Sequence, residues 1–203
     1  MPNPPDPRRP TVVLMAKAPA IGRGKQRLAK ELGRVEAWRI NLRLHRLACR
    51  AGQAGPWAFQ LCVSPDRAVT ARLPGLWPAR PSRTPQGKGD LGARIAKGLA
   101  GLSGPVLVIG ADCPTMSSRD LAAAFKALRR AKAVLGPAED GGFWIVGARK
   151  PRELAKALPG VRWSTPNAGA DMLARLPSPV ARLRTLADID DAAAWRSYRS
   201  SAT

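Results

Sequence analysis

Pro105-Val106-Leu107-Val108-Ile109-Gly110-Ala111-Asp112-Cys113-Pro114 is the stretch whose reading decides the fold. Four consecutive apolar residues, three of them β-branched, sit between a proline and a glycine. A run this short and this apolar reads as a buried strand. It ends at Asp112, and an acid at the end of a buried strand is costly unless it is paired or binds a cation. Ser117-Ser118-Arg119-Asp120 follows as a capping box, and the helix it opens places Leu121, Ala124, Phe125 and Leu128 on one face.

Working outward, the same alternation repeats. Thr11–Ala16, Trp57–Val63, Ala133–Gly136, Phe143–Val146 and Val180–Leu186 are further strand candidates. Residues 74–89 read as a Pro- and Gly-rich loop with room for one short strand. Helices are expected over Lys25–Leu32, stopped by Gly33, and over Val35–Ala51, where Ile40, Leu44, Leu47 and Ala48 share a face. More are expected over Pro65–Leu73, from Asp90 with Leu91, Ile95 and Leu99 on one stripe, near Asn167–Leu176, and from Asp191 to Tyr198. This order predicts a three-layer α/β/α sandwich around a mostly parallel mixed sheet. Ligands of such sheets bind outside the carboxyl ends of the strands.

Bulk composition narrows the function. The 203 residues suit one domain over residues 11–203, preceded by an extended, Pro-rich, flexible arm over residues 1–10. That arm lacks the apolar core of a secretory signal, and no apolar run approaches the ~20 residues of a membrane span. Cys49, Cys62 and Cys113 are scattered and odd in number, which points to free thiols and a cytoplasmic protein. With His45 as the sole histidine, a zinc site and a histidine-based triad are set aside. His45 itself falls within a helix, as a surface or interface residue. The net charge of +20 attracts polyanions. Its 25 Arg and 9 Lys are spread along the chain, however, so phosphorylated small molecules are preferred to nucleic acid as partners.

Four strand-end loops carry chemistry. Lys17 to Leu28 holds Lys17, Arg23, Lys25 and Arg27 around Gly22 and Gly24 at the start of a helix, which reads as a phosphate cradle or as a solvated basic turn. Asp112 follows the strongest strand as a metal ligand or a turn residue, and Ser117 already supplies the cap. Glu139-Asp140-Gly141-Gly142 alone reads as an Asp-Gly hairpin turn. Asp188 and Asp190 can share a face of an extended segment, with Asp191 as a helix cap. Seven of the 14 acids, counting Asp90, lie in or beside these loops, a distribution that suits a cation.

Five segments in order carry a family resemblance. Lys17-Ala18-Pro19 with Gly22-Arg23 and Lys25-Gln26-Arg27-Leu28 resembles the KAPxPGRxKTRL opening of a bacterial GT-A-like family, many of whose members are labelled arsenosugar-biosynthesis-type glycosyltransferases. Gln86-Gly87-Lys88-Gly89-Asp90-Leu91-Gly92-Ala93-Arg94 resembles QGxGDLGxR. Gly110–Pro114 is similar to GTDCP, Gly136–Phe143 to GPAxDGGY, and Trp163-Ser164-Thr165 to WST. More distantly, the layout is similar to guanylyltransferases for molybdopterin and 2-phospholactate. Gln26, Ala111 and Phe143 replace the family's Thr, Thr and Tyr, and Asp190-Asp191-Ala192 stands for Asp-Thr-Pro. Phe143 argues against a needed phenol hydroxyl.

The resemblance implies the GT-A, nucleotide-diphosphosugar transferase fold and a Mg²⁺ or Mn²⁺ cofactor. Asp112 would ligate the metal, with Asp140 or Asp190 as a second carboxylate. Asp140 is alternatively a general base. Lys17, Arg23, Lys25 and Arg27 would hold phosphate, and Gln86, Gly87, Gly89 and Asp90 would meet the nucleotide. The expected reaction is glycosyl transfer from a nucleotide-sugar to a small-molecule acceptor. Nucleotidyl transfer from a nucleoside triphosphate, or a non-catalytic polyanion-binding scaffold, are the alternatives. Cys113 as a nucleophile is a minor fourth.

Overall fold

The computed structural model describes residues 6, 8–71, 73, 75–77 and 82–201. Its strands are β1 (Thr11–Lys17), β2 (Ala58–Ser64), β3 (Ser82–Pro85), β4 (Val106–Ile109), β5 (Ala133–Pro137), β6 (Phe143–Ala148) and β7 (Val180–Arg182). Its helices are α1 (Gln26–Leu32), α2 (Arg34–Gln53), α3 (Leu91–Gly98), α4 (Ser118–Ala127), α5 (Pro151–Ala157), α6 (Ala168–Arg175) and α7 (Ala192–Ser201). Of the expected arm, residues 1–5 and 7 lie outside the described residues, as do 72, 74 and 78–81 of the long loop.

The strands form one sheet in the order β3-β2-β1-β4-β6-β5-β7. Among the described strands, β6 alone runs against its neighbours, β4 and β5, and the other pairings are parallel. The expected mostly parallel mixed sheet is therefore present. Side-chain alternation sorts the core. Val12, Leu14 and Ala16 of β1 pack with α2 and α4 on one face, while Val13 packs with α3, α5 and α6 on the other. A third cluster joins α1, α2 and α7 through Leu28, Ile40, Leu44, Ile189 and Trp195.

Four local features differ from expectation, the first being that the strand expected over Val180–Leu186 ends at Arg182. The segment after β2 is a 3₁₀ turn, Asp66–Thr70, instead of a helix reaching Leu73. α5 is an additional helix, although Pro151 and Glu153 in its first turn are helix-start signals. Leu91 is 39% exposed while Ile95 and Leu99 are buried, because Leu91 opens α3 at the rim of the sheet's ligand edge. The capping box at Ser117 and Asp120 forms as read, and Arg184 clamps Asp120 at 2.7 Å.

The chain lays β2 and β3 on one side of β1 and then returns to lay β4 on the other. The carboxyl ends of β1 and β4 thus flank a topological switch point, where the diverging loops leave a crevice.

Candidate active site at the switch point

β1 delivers Lys17 to this crevice, and the loop behind it delivers Lys25. Gly22, Gly24 and Lys25 all have positive φ, so the backbone coils left-handed into α1. Lys25, with φ 48°, is the costly member, since a non-glycine side chain disfavours this region. Its ammonium turns inward. It lies 2.7 Å from Asp112, 3.7 Å from Asp190, and donates to the carbonyl of Ile189, with its side chain only 9% exposed. Arg27 holds Asp190 from outside at 3.3 Å.

Asp112 leaves the end of β4 as read. The late acidic segment reaches it by backbone pairing. Leu186 N–H donates to Pro137, Glu139 N–H donates to Leu186, and Ile189 N–H donates to Asp112, each at 2.9–3.1 Å. Residues 186–190 are thereby stitched between the β5–β6 turn and the Asp112 loop. Ile189 points into the core, and Asp188 and Asp190 both face the crevice, as the alternation predicts. Asp191 caps α7 through Ala194 N–H.

Asp140 sits in a tight hairpin turn, and its carboxylate accepts from Gly142 N–H at 2.8 Å. The turn reading is correct, and the turn also lines the site. Gly141 has φ 85°, and a Cβ there would stand 2.2 Å from the Pro166 carbonyl. The glycine pair lets the turn seat on the segment carrying Trp163, Ser164 and Thr165. That segment is fixed by Arg162, which grips Asp171 through two bonds of 2.8 Å, and by Trp163 packing on Phe143.

Two adjoining cavities result. One, of about 390 Å³, is lined by Lys17, Lys25, Asp112 and Asp190 with apolar Met15 and Ile95. The other, of about 480 Å³, is lined by Asp112, Asp140, Asp188 and Asp190 with Trp163 and Thr165. Leu91, Gly110 and Phe143 border both.

The charges on these groups follow from their surroundings. Burial raises the pKa of Asp188, and the neighbouring Asp140 raises it further. Burial also pushes the Cys113 thiol far up, with Asp112, Asp188 and Asp140 adding to the effect. Cys113 is therefore a protonated, packed thiol, which removes it as a nucleophile. Asp112, Asp140 and Asp188 line the same cavity as Cys113.

Other sequence candidates lie apart from the cavities. Gln86 is buried, and its amide donates to the carbonyls of Ala16 and Cys62, tying β1 to β2. Gly87 donates to Asp66, and Asp90 caps α3 through Ala93 N–H. Gly89 and Arg23 line neither cavity. Two residues escape the sequence reading. Asp188 is legible there only as a face-mate of Asp190, yet it faces Asp140. His45, expected at a surface or interface, is 3% exposed and lines the first cavity with Asn41. Their i, i+4 spacing on α2 is the available signal.

A divalent ion would find hard oxygen donors here. No group of three or more His, Cys, Asp or Glu among the described residues is close enough to hold a metal unaided. Mg²⁺ asks for only one or two carboxylates, completed by phosphate and water. Asp112, Asp140 and Asp188 line the second cavity together and are the carboxylates that could supply such donors.

The seven-stranded mixed sheet is shared with solved structures of the nucleotide-diphospho-sugar transferase fold. The chain belongs to the family described as "Uncharacterized protein conserved in bacteria (DUF2064)", which matches residues 47–165. That stretch includes Asp112 and Asp140 and excludes both the basic loop and Asp188. Among solved structures, a candidate nucleotide-diphospho-sugar transferase from Desulfovibrio desulfuricans is similar, at 24% identity and TM-score 0.77, over 91% of this chain and 83% of that one. A 4-diphosphocytidyl-2C-methyl-D-erythritol synthase from Anaerococcus prevotii shares 10% identity with TM-score 0.64, over 97% and 99%. The manganese complex of Rv0371c from Mycobacterium tuberculosis shares 18% with TM-score 0.57, over 95% and 99%. At these identities the likeness establishes the fold. No curated protein matches the chain. No helix among the described residues is long and apolar enough to cross a membrane.

Proposed function

We propose that this protein is a divalent-metal-assisted transferase that takes the glycosyl group of a nucleotide-sugar to a small-molecule acceptor. The observation that carries the reading is the convergence of Asp112, Asp140 and Asp188 beside Lys17 and Lys25, in two joined cavities at the switch point. The manganese complex of Rv0371c supports the choice of ion, Mg²⁺ or Mn²⁺.

The first cavity carries Lys17 and Lys25 among its lining and takes the nucleoside diphosphate. Lys17 and Lys25 offset its charge, and Arg23 and Arg27 add to the field from outside. Asp112 and Asp188 would hold the ion, which supplies electrostatic stabilisation to the departing diphosphate. Asp190, already held by Arg27 and Lys25, positions those cations. The second cavity takes the acceptor against Trp163 and Thr165. There Asp140 accepts the acceptor's hydroxyl proton as the oxygen bonds to the sugar carbon and the carbon–phosphate-oxygen bond breaks. An arsenosugar-type reaction is one instance of this class.

Nucleotidyl transfer is the second reading, favoured by the cytidyl name of the Anaerococcus relative. It uses the same groups against an α-phosphate, and pyrophosphate release distinguishes it.

The test is thermal unfolding against nucleoside di- and triphosphates and nucleotide-sugars, with and without Mn²⁺, for wild type and Asp112→Ala. A metal-dependent rise of several degrees, lost in the variant, is expected. No rise with any nucleotide would defeat the reading and leave a polyanion-binding scaffold.

A further inference from the structure

The first cavity has a wall that phosphate chemistry does not use. Asn41 and His45 are one turn apart on α2, and both reach the crevice from within the core. Asn41 is 9% exposed and His45 is 3% exposed. No side-chain hydrogen bond is made by Asn41 among the described residues, yet no fully enclosed side-chain nitrogen or oxygen there lacks a partner. The amide of Asn41 therefore keeps its polar atoms on the open space that it lines. An amide on that space is left unpartnered only when a bound group covers it without matching its hydrogen bonds, and that is costly.

His45 is fixed in a complementary state. Trp77 Nε1–H donates to its Nδ1 at 3.5 Å. The indole is a donor only, so this long contact favours the tautomer with Nδ1 bare and the proton on Nε2. Burial lowers the imidazole pKa to about 4, with Asp112 opposing and Lys25 assisting. At neutral pH the wall thus offers one N–H from His45, and one donor and one acceptor from Asn41, with no charge.

We infer that Asn41 and His45 form a neutral recognition subsite in the first cavity, which takes an uncharged donor–acceptor group of the nucleotide ligand. The inference rests on the proposed nucleotide-dependent reading. Phosphate is drawn to the cations Lys17 and Lys25, and a neutral wall adds no charge to hold it. A nucleobase edge and a pair of sugar hydroxyls share the required chemistry, and either can lie against Met15 and Ile95. Preference between ligands follows, because a ligand lacking the matching group leaves the amide unpaired.

Calorimetric titration of wild type, Asn41→Leu and Asn41→Ala tests this. The ligands are the common nucleoside diphosphates, a nucleotide-sugar and inorganic pyrophosphate, each with Mg²⁺. Asn41→Ala keeps the site uncharged and adds no bulk, should the leucine variant unfold. The expected result is a loss of tenfold or more for the ligand that wild type prefers, with pyrophosphate unchanged within twofold. A loss that depends on the base assigns the nucleobase, an equal loss for all nucleotides assigns the ribose, and a loss confined to the nucleotide-sugar assigns its sugar. Nucleotide affinities unchanged in both variants, or falling together with pyrophosphate, would overturn the subsite alone. Failure of wild type to bind any nucleotide would overturn the parent reading and the subsite together.

Discussion

Lys25 shows how one side chain sets the state of the site. Its ammonium already neutralises Asp112 and is nearly enclosed. A divalent ion arriving at Asp112 meets that charge, and unit charges ~4 Å apart interact by ~4 kcal/mol at an effective dielectric near 20. Lys25→Met is therefore expected to tighten Mn²⁺ binding about tenfold in the absence of nucleotide, read by electron paramagnetic resonance, while weakening pyrophosphate. Unchanged Mn²⁺ affinity would show that the ion binds away from Lys25. Asp188 gives the pH signature. Its pKa lies above the unfolded value, so the folded state holds the proton more tightly. Its contribution to stability is full below about pH 4 and is lost as pH rises through the folded value. Asp188→Asn in chelator is expected to raise Tm by about 1–2 °C at pH 7 and not at pH 3. A melting curve that rises equally at both values would locate the effect elsewhere. Asp112 and Asp140 are legible in the sequence because each sits at a strand or turn end. Asp188 and Asp190 are not separable there, since both face one way, and what distinguishes them is which neighbour already neutralises each.

At the scale of elements, the β5–β6 turn and the Trp163 segment act as one unit. Gly141 has a left-handed backbone, and a methyl group there would strike the Pro166 carbonyl. Gly141→Ala is expected to cost about 2 kcal/mol or more in urea unfolding, through strain and displacement of the turn. Gly110→Ala is the control, because nothing lies within 4 Å of a Cβ there. It is expected to stay within about 0.5 kcal/mol. Strands β1 and β4 are readable as apolar runs buried on both faces, and the helix beginning at Ser118 is readable from its cap. The reversed direction of β6 follows from its hairpin with β5. α5 is not readable in this way, because its few apolar positions, Leu154, Ala157 and Leu158, make a short and weak stripe that only packing under β6 completes.

For the whole molecule, the charge of +20 acts as a field more than as a site. Nucleic acid is expected to bind weakly and to lose ~10³ in affinity between 50 and 200 mM salt if about six phosphates are contacted. Nucleotide with metal, held by short-range groups in the crevice, is expected to survive that change. Filter binding against salt checks the first, and calorimetry at both salts checks the second. What the sequence by itself determined was the alternation of strands and helices, the mostly parallel sheet, and the acids and bases gathered at strand ends. These are local properties, written in runs, caps and glycines that act within a few residues. Only the tertiary structure decided that Lys25 turns inward, that Gln86 is consumed in joining two strands, and that Asn41 and His45 face the crevice. Those outcomes depend on which groups from distant segments meet, and on which charges are paired before any ligand arrives.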